Sequence, residues 1–199
     1  MATRRGEYTT IYDIRTSYLS ITSTGDDALL LDLLRSVCRD IDKAAGWFFY
    51  PCIETRYFDA RTDAYGRGLT LDLPLLAVTT LTNGDAVAVT TDQYVFQPRN
   101  TNAYPKWKIE LLRNSGITWT YEDDPEDAIT VNGYWAYSKT VPADIRRAAA
   151  IAVAHLYRAG GTNSDNDRPL VADGVVIEPG RLPASFWAVV RAPNYTAFT

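Results

Sequence analysis

Histidine and cysteine are nearly missing from this 199-residue chain, which has one imidazole, His155, and two thiols, Cys38 and Cys52. Two cysteines make no disulfide framework, and a zinc site with one histidine would need an unusual ligand set. Both thiols are expected to be reduced and buried. Lysine is scarce too: it stands only at 43, 106, 108 and 139, and the other sixteen basic residues are arginine. With a formal net charge of −4, the chain lacks the concentrated positive charge that grips phosphates for affinity. No apolar run is long enough to span a bilayer, and the opening MATRRGEYTT lacks the apolar segment of a secretory signal. Production in the cytoplasm, with no membrane partner, is the expectation. Gly66-x-Gly68 lacks the further glycines and the Lys-Ser/Thr of a phosphate-cradling loop.

Catalytic groups are equally sparse. His155 falls in a helical run beside Leu156 and Tyr157, with no Ser, Cys or Asp at motif spacing to make a nucleophile or an orienting partner. No catalytic, cofactor-binding or metal-binding residue is expected, and no enzyme activity. The acidic run Glu122–Asp127 and the alternating Asn163, Asp165 and Asp167 look like pieces of cation loops. Arg168, however, stands where a turn glycine belongs, and no closing Glu follows, so both read as solvated turns. Five Trp, thirteen Tyr and six Phe leave a rival reading open, a tail-associated carbohydrate- or protein-binding module that stacks ligands on aromatics. Most of these rings, such as Trp47 and Trp135, sit where a core needs bulk.

What the chain does have is a stretch from Thr24 to Phe58. Thr24 is placed to cap a helix through its side chain, with Asp26 and Asp27 on the first turn. Leu30, Leu33, Leu34, Val37, Ile41, Ala44 and Ala45 recur at three- and four-residue steps as one apolar stripe, and Gly46 closes the helix. The period then changes to two: Ile53, Thr55 and Tyr57 alternate with Glu54, Arg56 and Phe58, as in a strand. Ahead of this stretch, residues 1–10 read as polar and mobile, with Arg4 and Arg5 free to touch a neighbour, and 11–19 as a short helix. After it come short strands: 69–73, 76–80 ending in a hairpin at Asn83-Gly84, 94–96, 107–112, 117–121 and 129–137. Pro142 opens a second major helix carrying Ile145, Ala149, Ala152, Val153, Leu156 and Tyr157 on one face. Gly160-Gly161 ends it, TNSDNDRP follows as a loop, and an extended piece at 175–177 and a helix from Pro183 complete the chain. The class is α+β, a single domain over 1–199 with a helical body from 11–46 and 142–191 and an inserted antiparallel β lobe over 53–137.

Three blocks carry a resemblance. The DDALL helix ends in Ile41-Asp42-x-x-x-Gly46 and runs on into FYPCIETRYFD; VNGYWAYSKTVPADIRRAAAIAVAHLYR spans 131–158; and Leu182-Pro183 opens a hydrophobic helix at 182–191. Together they resemble the head–tail connector (adaptor) family of tailed double-stranded DNA bacteriophages and related prophage-derived particles. The likeness covers both ends of the chain, and 60–128 only as a region of strands. It implies a structural subunit of a dodecameric ring joining the portal protein to the tail, or to a stopper or tail-completion protein. DNA would pass through the channel without sequence-specific binding. Leu182, Phe186, Val189 and Val190 fall on one face of that short helix, with Trp187 adjoining, so the face must be buried against either the protein's own core or a partner. The resemblance implies that the C-terminal segment reaches the portal, and on that reading these five residues meet it. Removing 182–199 is then expected to leave a folded subunit that no longer docks.

Overall fold

The computed structural model describes residues 6–60, 66–99, 106–161, 170–172, 175–177 and 182–192, with no side-chain detail for 161 and 170–177. Among them are four α-helices, a five-stranded antiparallel sheet and a two-stranded one, an α+β fold. The chain divides into two compact units. One comprises Glu7–Phe48 and Val141–Thr199, the other Met1–Gly6 and Phe49–Thr140.

The first unit is helical. A single turn, α1 (Ile11–Asp13), starts with the Thr10 hydroxyl accepting from Asp13 N. It widens into a π-helical stretch, Ile14–Leu19, that stops at Ser20 in the left-handed region. Helix α2 (Asp27–Ala45) begins differently from the sequence expectation. Asp27 N donates to the backbone carbonyl of Thr24 at 3.2 Å, and no side chain caps the helix. Leu30, Leu34, Val37, Ile41 and Ala45 are buried, while Leu33 and Ala44 flank that face half-buried. Each fully buried aliphatic on this stripe contributes about 1.5–3 kcal/mol over an exposed one. Gly46, at φ 74°, takes the left-handed closing position, and its N–H reaches Asp42 O at 2.9 Å.

Residues 6–10 do not behave as a polar tail. Tyr8 and Thr9 are buried, and the Tyr8 hydroxyl donates to Asp42 Oδ1 of α2. Helix α3 (Ala143–Gly161) follows Pro142 and buries far more than one stripe. Ile145, Ala148, Ala149, Ala152 and Val153 are buried on one side, and Ala150 and Ala154 on the other. Small side chains let it be approached from several directions at once. It packs on α2, on the π-helical stretch, and on α4 (Ala184–Val190). Strands β6 (Leu170–Ala172) and β7 (Val175–Ile177), numbered after the five described next, pair antiparallel, and the loop expected at 162–169 lies outside the described residues.

The second unit is the sheet, in the order β1-β5-β2-β4-β3. Its strands are β1 (Cys52–Phe58), β2 (Gly68–Thr82), β3 (Tyr94–Gln97), β4 (Lys106–Leu111) and β5 (Ile129–Trp135). The two strands expected at 69–73 and 76–80 are one, β2, with a register shift against β4 between Thr70 and Leu75. Pro74 lies inside that irregular stretch, where a missing N–H costs no ladder bond. At Gly133 on β5, a Cβ would stand 2.4 Å from Ala77 O, so β2 and β5 approach closely only because that residue has no side chain.

Asn83-Gly84 does start a hairpin, though with a longer turn than the dipeptide suggests. Asn83 N donates to Val87 O at 2.9 Å, and Ala86, not glycine, takes the left-handed position at φ 58°. Asn83 is buried and used elsewhere. Its Nδ2 donates to Thr118 O at 3.0 Å, and its Oδ1 accepts from Thr120 N at 3.1 Å. The segment 117–121 therefore has its polar backbone met by a side chain. It forms no strand, only a single parallel bridge from Tyr121 to Gly84.

Candidate functional site

His155 stands half-buried on α3 between Ala154 and Leu156. Two residues further along, Tyr157 donates its hydroxyl to Asp26 Oδ2 at 2.6 Å, which ties α3 to the start of α2. That hydrogen bond raises the phenol above its ordinary value. Both cysteines are free and buried. Burial pushes the Cys38 thiol up to about 11, against a weaker opposing effect of the Tyr8 N–H, which donates to its sulfur at 3.4 Å. A buried, protonated thiol is unreactive. Among the described residues, no group of three or more His, Cys, Asp or Glu could hold a metal ion. Arg4, Arg5, Asn163, Asp165, Asp167 and Arg168 lie outside the described residues.

The surfaces are better candidates than any single residue. At the C-terminal end, α4 lies on α3 and touches α2. Phe186 and Val190 are buried, while Leu182, Trp187 and Val189 are half-buried. Trp187 sits edge-on to Phe186, with ring centroids 4.9 Å apart, and the Arg191 guanidinium lies 4.9 Å from its ring centre. The side chains proposed to meet a partner thus divide into two that anchor the helix and three that keep accessible surface. Deleting the segment would uncover α3 and α2.

In the sheet unit, edge strand β1 turns Ile53, Thr55 and Tyr57 outward. Ile53 pairs with Tyr134 and Thr55 with Asn132 across to β5, and Asn132 Nδ2 donates to Thr55 Oγ1 at 2.7 Å. This face carries no charge in the β1–β5 rows. The charged residues of β1 point the other way. Arg56 pairs with Glu54 and Asp72, and its guanidinium lies 5.5 Å from the centre of the buried Trp135 ring.

Across the same sheet, β3 and β4 border an open cleft of about 650 Å³ lined by Tyr94, Phe96, Arg99, Lys106 and Lys139 among others. Lys106 is only 6% exposed and donates its ammonium to Pro98 O. The acidic run is a well-held turn, mostly exposed. Asp124 Oδ1 accepts from Glu126 N at 2.9 Å, Asp127 N donates to Asp59 Oδ1 at 3.1 Å, and Pro125 O accepts from Ala60 N at 2.7 Å.

Solved chains of a gene transfer agent particle share this fold. One is from the neck of the empty particle computed with C6 symmetry, matching with a TM-score of 0.56 at 16% identity. A second, from the neck of the native particle computed with C12 symmetry, has a TM-score of 0.51 at 16% identity. A third, from the virion of the native particle, has a TM-score of 0.55 at 16% identity. In each, the match covers 99% of this chain and 97% of the other. No protein-family model and no curated protein matches the sequence.

Two features escaped sequence reasoning, the buried Tyr8–Asp42 pair and the basic cleft. Asp42 could have been flagged, since it follows Leu34 by eight residues and Cys38 by four, the spacing of the buried face. Its partner Tyr8 is distant in sequence and carries no local signal. The gathering of Arg99, Lys106 and Lys139 depends on strand pairing and cannot be read from their spacing.

Proposed function

We propose that this protein is a structural subunit of the neck of a phage-like particle. It forms, with further copies, the head–tail adaptor ring that links the portal to the tail or to the next neck ring around the DNA channel. The observation that carries the reading is the extent of the likeness. It runs over 99% of this chain and 97% of a neck chain computed with C12 symmetry. A dodecameric ring of such subunits is the corresponding assembly. No catalytic step is assigned. DNA passes without sequence-specific contact, and a stopper or tail-completion protein would lie below the ring.

Docking on the portal is assigned to the C-terminal helix. Phe186 and Val190 fix α4 on the helical unit, and Leu182, Trp187 and Val189 offer the remaining apolar surface. A half-buried Trp beside an Arg suits the centre of a contact, because such residues dominate interface energetics. The test is to express the tagged chain in cells producing its particle and image the purified particles by electron microscopy. A neck-localised ring supports the reading. A tag found on tail fibres, or on no particle, refutes it. The exposed Tyr57 and Tyr134 favour a second reading, a carbohydrate-binding tail module, which glycan binding by the isolated protein would reveal.

A further inference from the structure

Two of the four lysines, Lys106 and Lys139, line one cleft together with Arg99, in a chain whose net charge is −4. The turn Glu122–Asp127 holds five carboxylates in six residues. These are the opposite poles of the same β unit. The turn leads directly into Ile129, which pairs with Phe58 at one end of β5. At the other end Trp135 pairs with Leu75, and Leu75 with Lys106. Seven strand residues separate the two ends, roughly 20 Å at about 3.3 Å per residue. The intervening ladder is rigid, so the turn cannot fold back into its own cleft.

We propose that the cleft receives the acidic turn of a neighbouring copy of this chain. The inference rests on the ring reading above and names the contact that would close the ring. Charge complementarity selects the occupant: a carboxylate-rich, exposed, hydrogen-bonded turn meets a concave site whose rim carries Arg99 and Lys139, with the Lys106 ammonium held on Pro98 O beneath them. A cleft of about 650 Å³ has the volume of a small-ligand site and accommodates the tip of a turn. Tyr94 and Phe96, edge to face with centroids 5.4 Å apart, line it with apolar surface that excludes water from the ion pairs. Because donor and acceptor surfaces differ, the contact is head-to-tail. Repeated with closure, it generates a ring and not a two-fold dimer.

The test uses a mixture of unlabelled and ¹⁵N-labelled full-length protein, assembled at high concentration and treated with a carbodiimide, which joins amines to adjacent carboxylates. Peptides of mixed isotope linking Lys139 to the 122–127 turn are expected. Lys139→Glu should weaken association roughly tenfold or more, since like charges then face one another, and Lys139→Glu with Asp123→Lys should restore it. The association should also fall with added salt. Cross-links confined to single copies, assembly indifferent to Lys139→Glu, or no rescue by the paired reversal would each overturn the inference. A chain that enters the neck as a ring while its cross-links avoid the cleft overturns this contact alone. A chain absent from the neck overturns the ring reading with it.

Discussion

Tyr8→Phe removes one oxygen from the helical unit and should cost more than its size suggests. The hydroxyl is buried and donates to Asp42 Oδ1, and Asp42 is itself only 7% exposed. Arg39 Nε lies 3.4 Å from the second carboxylate oxygen. The substitution leaves the ring packing in place but withdraws a donor from a buried charged acceptor. Hydrogen bonds to charged groups are worth about 1.5–3 kcal/mol. For a chain of this length, about 2–4 °C per kcal/mol converts that loss to a fall in Tm of about 3–12 °C. Thermal and urea unfolding of wild type, Tyr8→Phe, Asp42→Asn and the double variant would read it. The Tyr8→Phe loss should shrink when Asp42 is already Asn, because the charged acceptor is gone. A Tm unchanged by Tyr8→Phe, or strictly additive losses, would refute a stabilising Tyr8–Asp42 pair.

Three further outcomes follow from the same unit. Because burial holds the Cys38 thiol up at about 11 against an ordinary 9.0, the unfolded chain releases that proton first as pH rises. Stability contributed by Cys38 is full below pH 9 and falls between about 9 and 11, and urea titrations across that window should show a decline that Cys38→Ala lessens. On α4, Phe186→Ala should cost about 3–5 kcal/mol by opening a cavity under the helix. Trp187→Ala should leave the subunit folded yet lose co-sedimentation with portal rings; portal binding at the wild-type level by Trp187→Ala would remove the docking role from this helix.

The elements that depend on local pattern were legible. Helix α2 lies where the apolar stripe and Gly46 put it, and α3 starts after Pro142. The departures come from distant partners. Alternation over 52–58 identifies a strand but not its inward side, and Arg56 goes in with Glu54 because Asp72 and the Trp135 face receive it. The stretch 117–121 has strand composition, yet the Asn83 side chain takes the backbone groups that a neighbouring strand would have paired. Tyr8 reads as part of a polar tail until α2 supplies its acceptor 34 residues away. For the candidate site, the amphipathic C-terminal segment was visible, but which side chains anchor it and which remain accessible depends on α3 and α2 beneath. The basic cleft was invisible, since Arg99, Lys106 and Lys139 meet only after β2, β3, β4 and β5 have paired.

The most direct measurement of the central claim is a reconstruction of the neck from particles assembled with this chain, made without imposed symmetry and at a resolution that traces the five-stranded sheet. The account predicts a ring of copies between the portal and the next neck component, with the DNA channel through its centre. Density at that level occupied by another fold, with this chain elsewhere or absent, would contradict it.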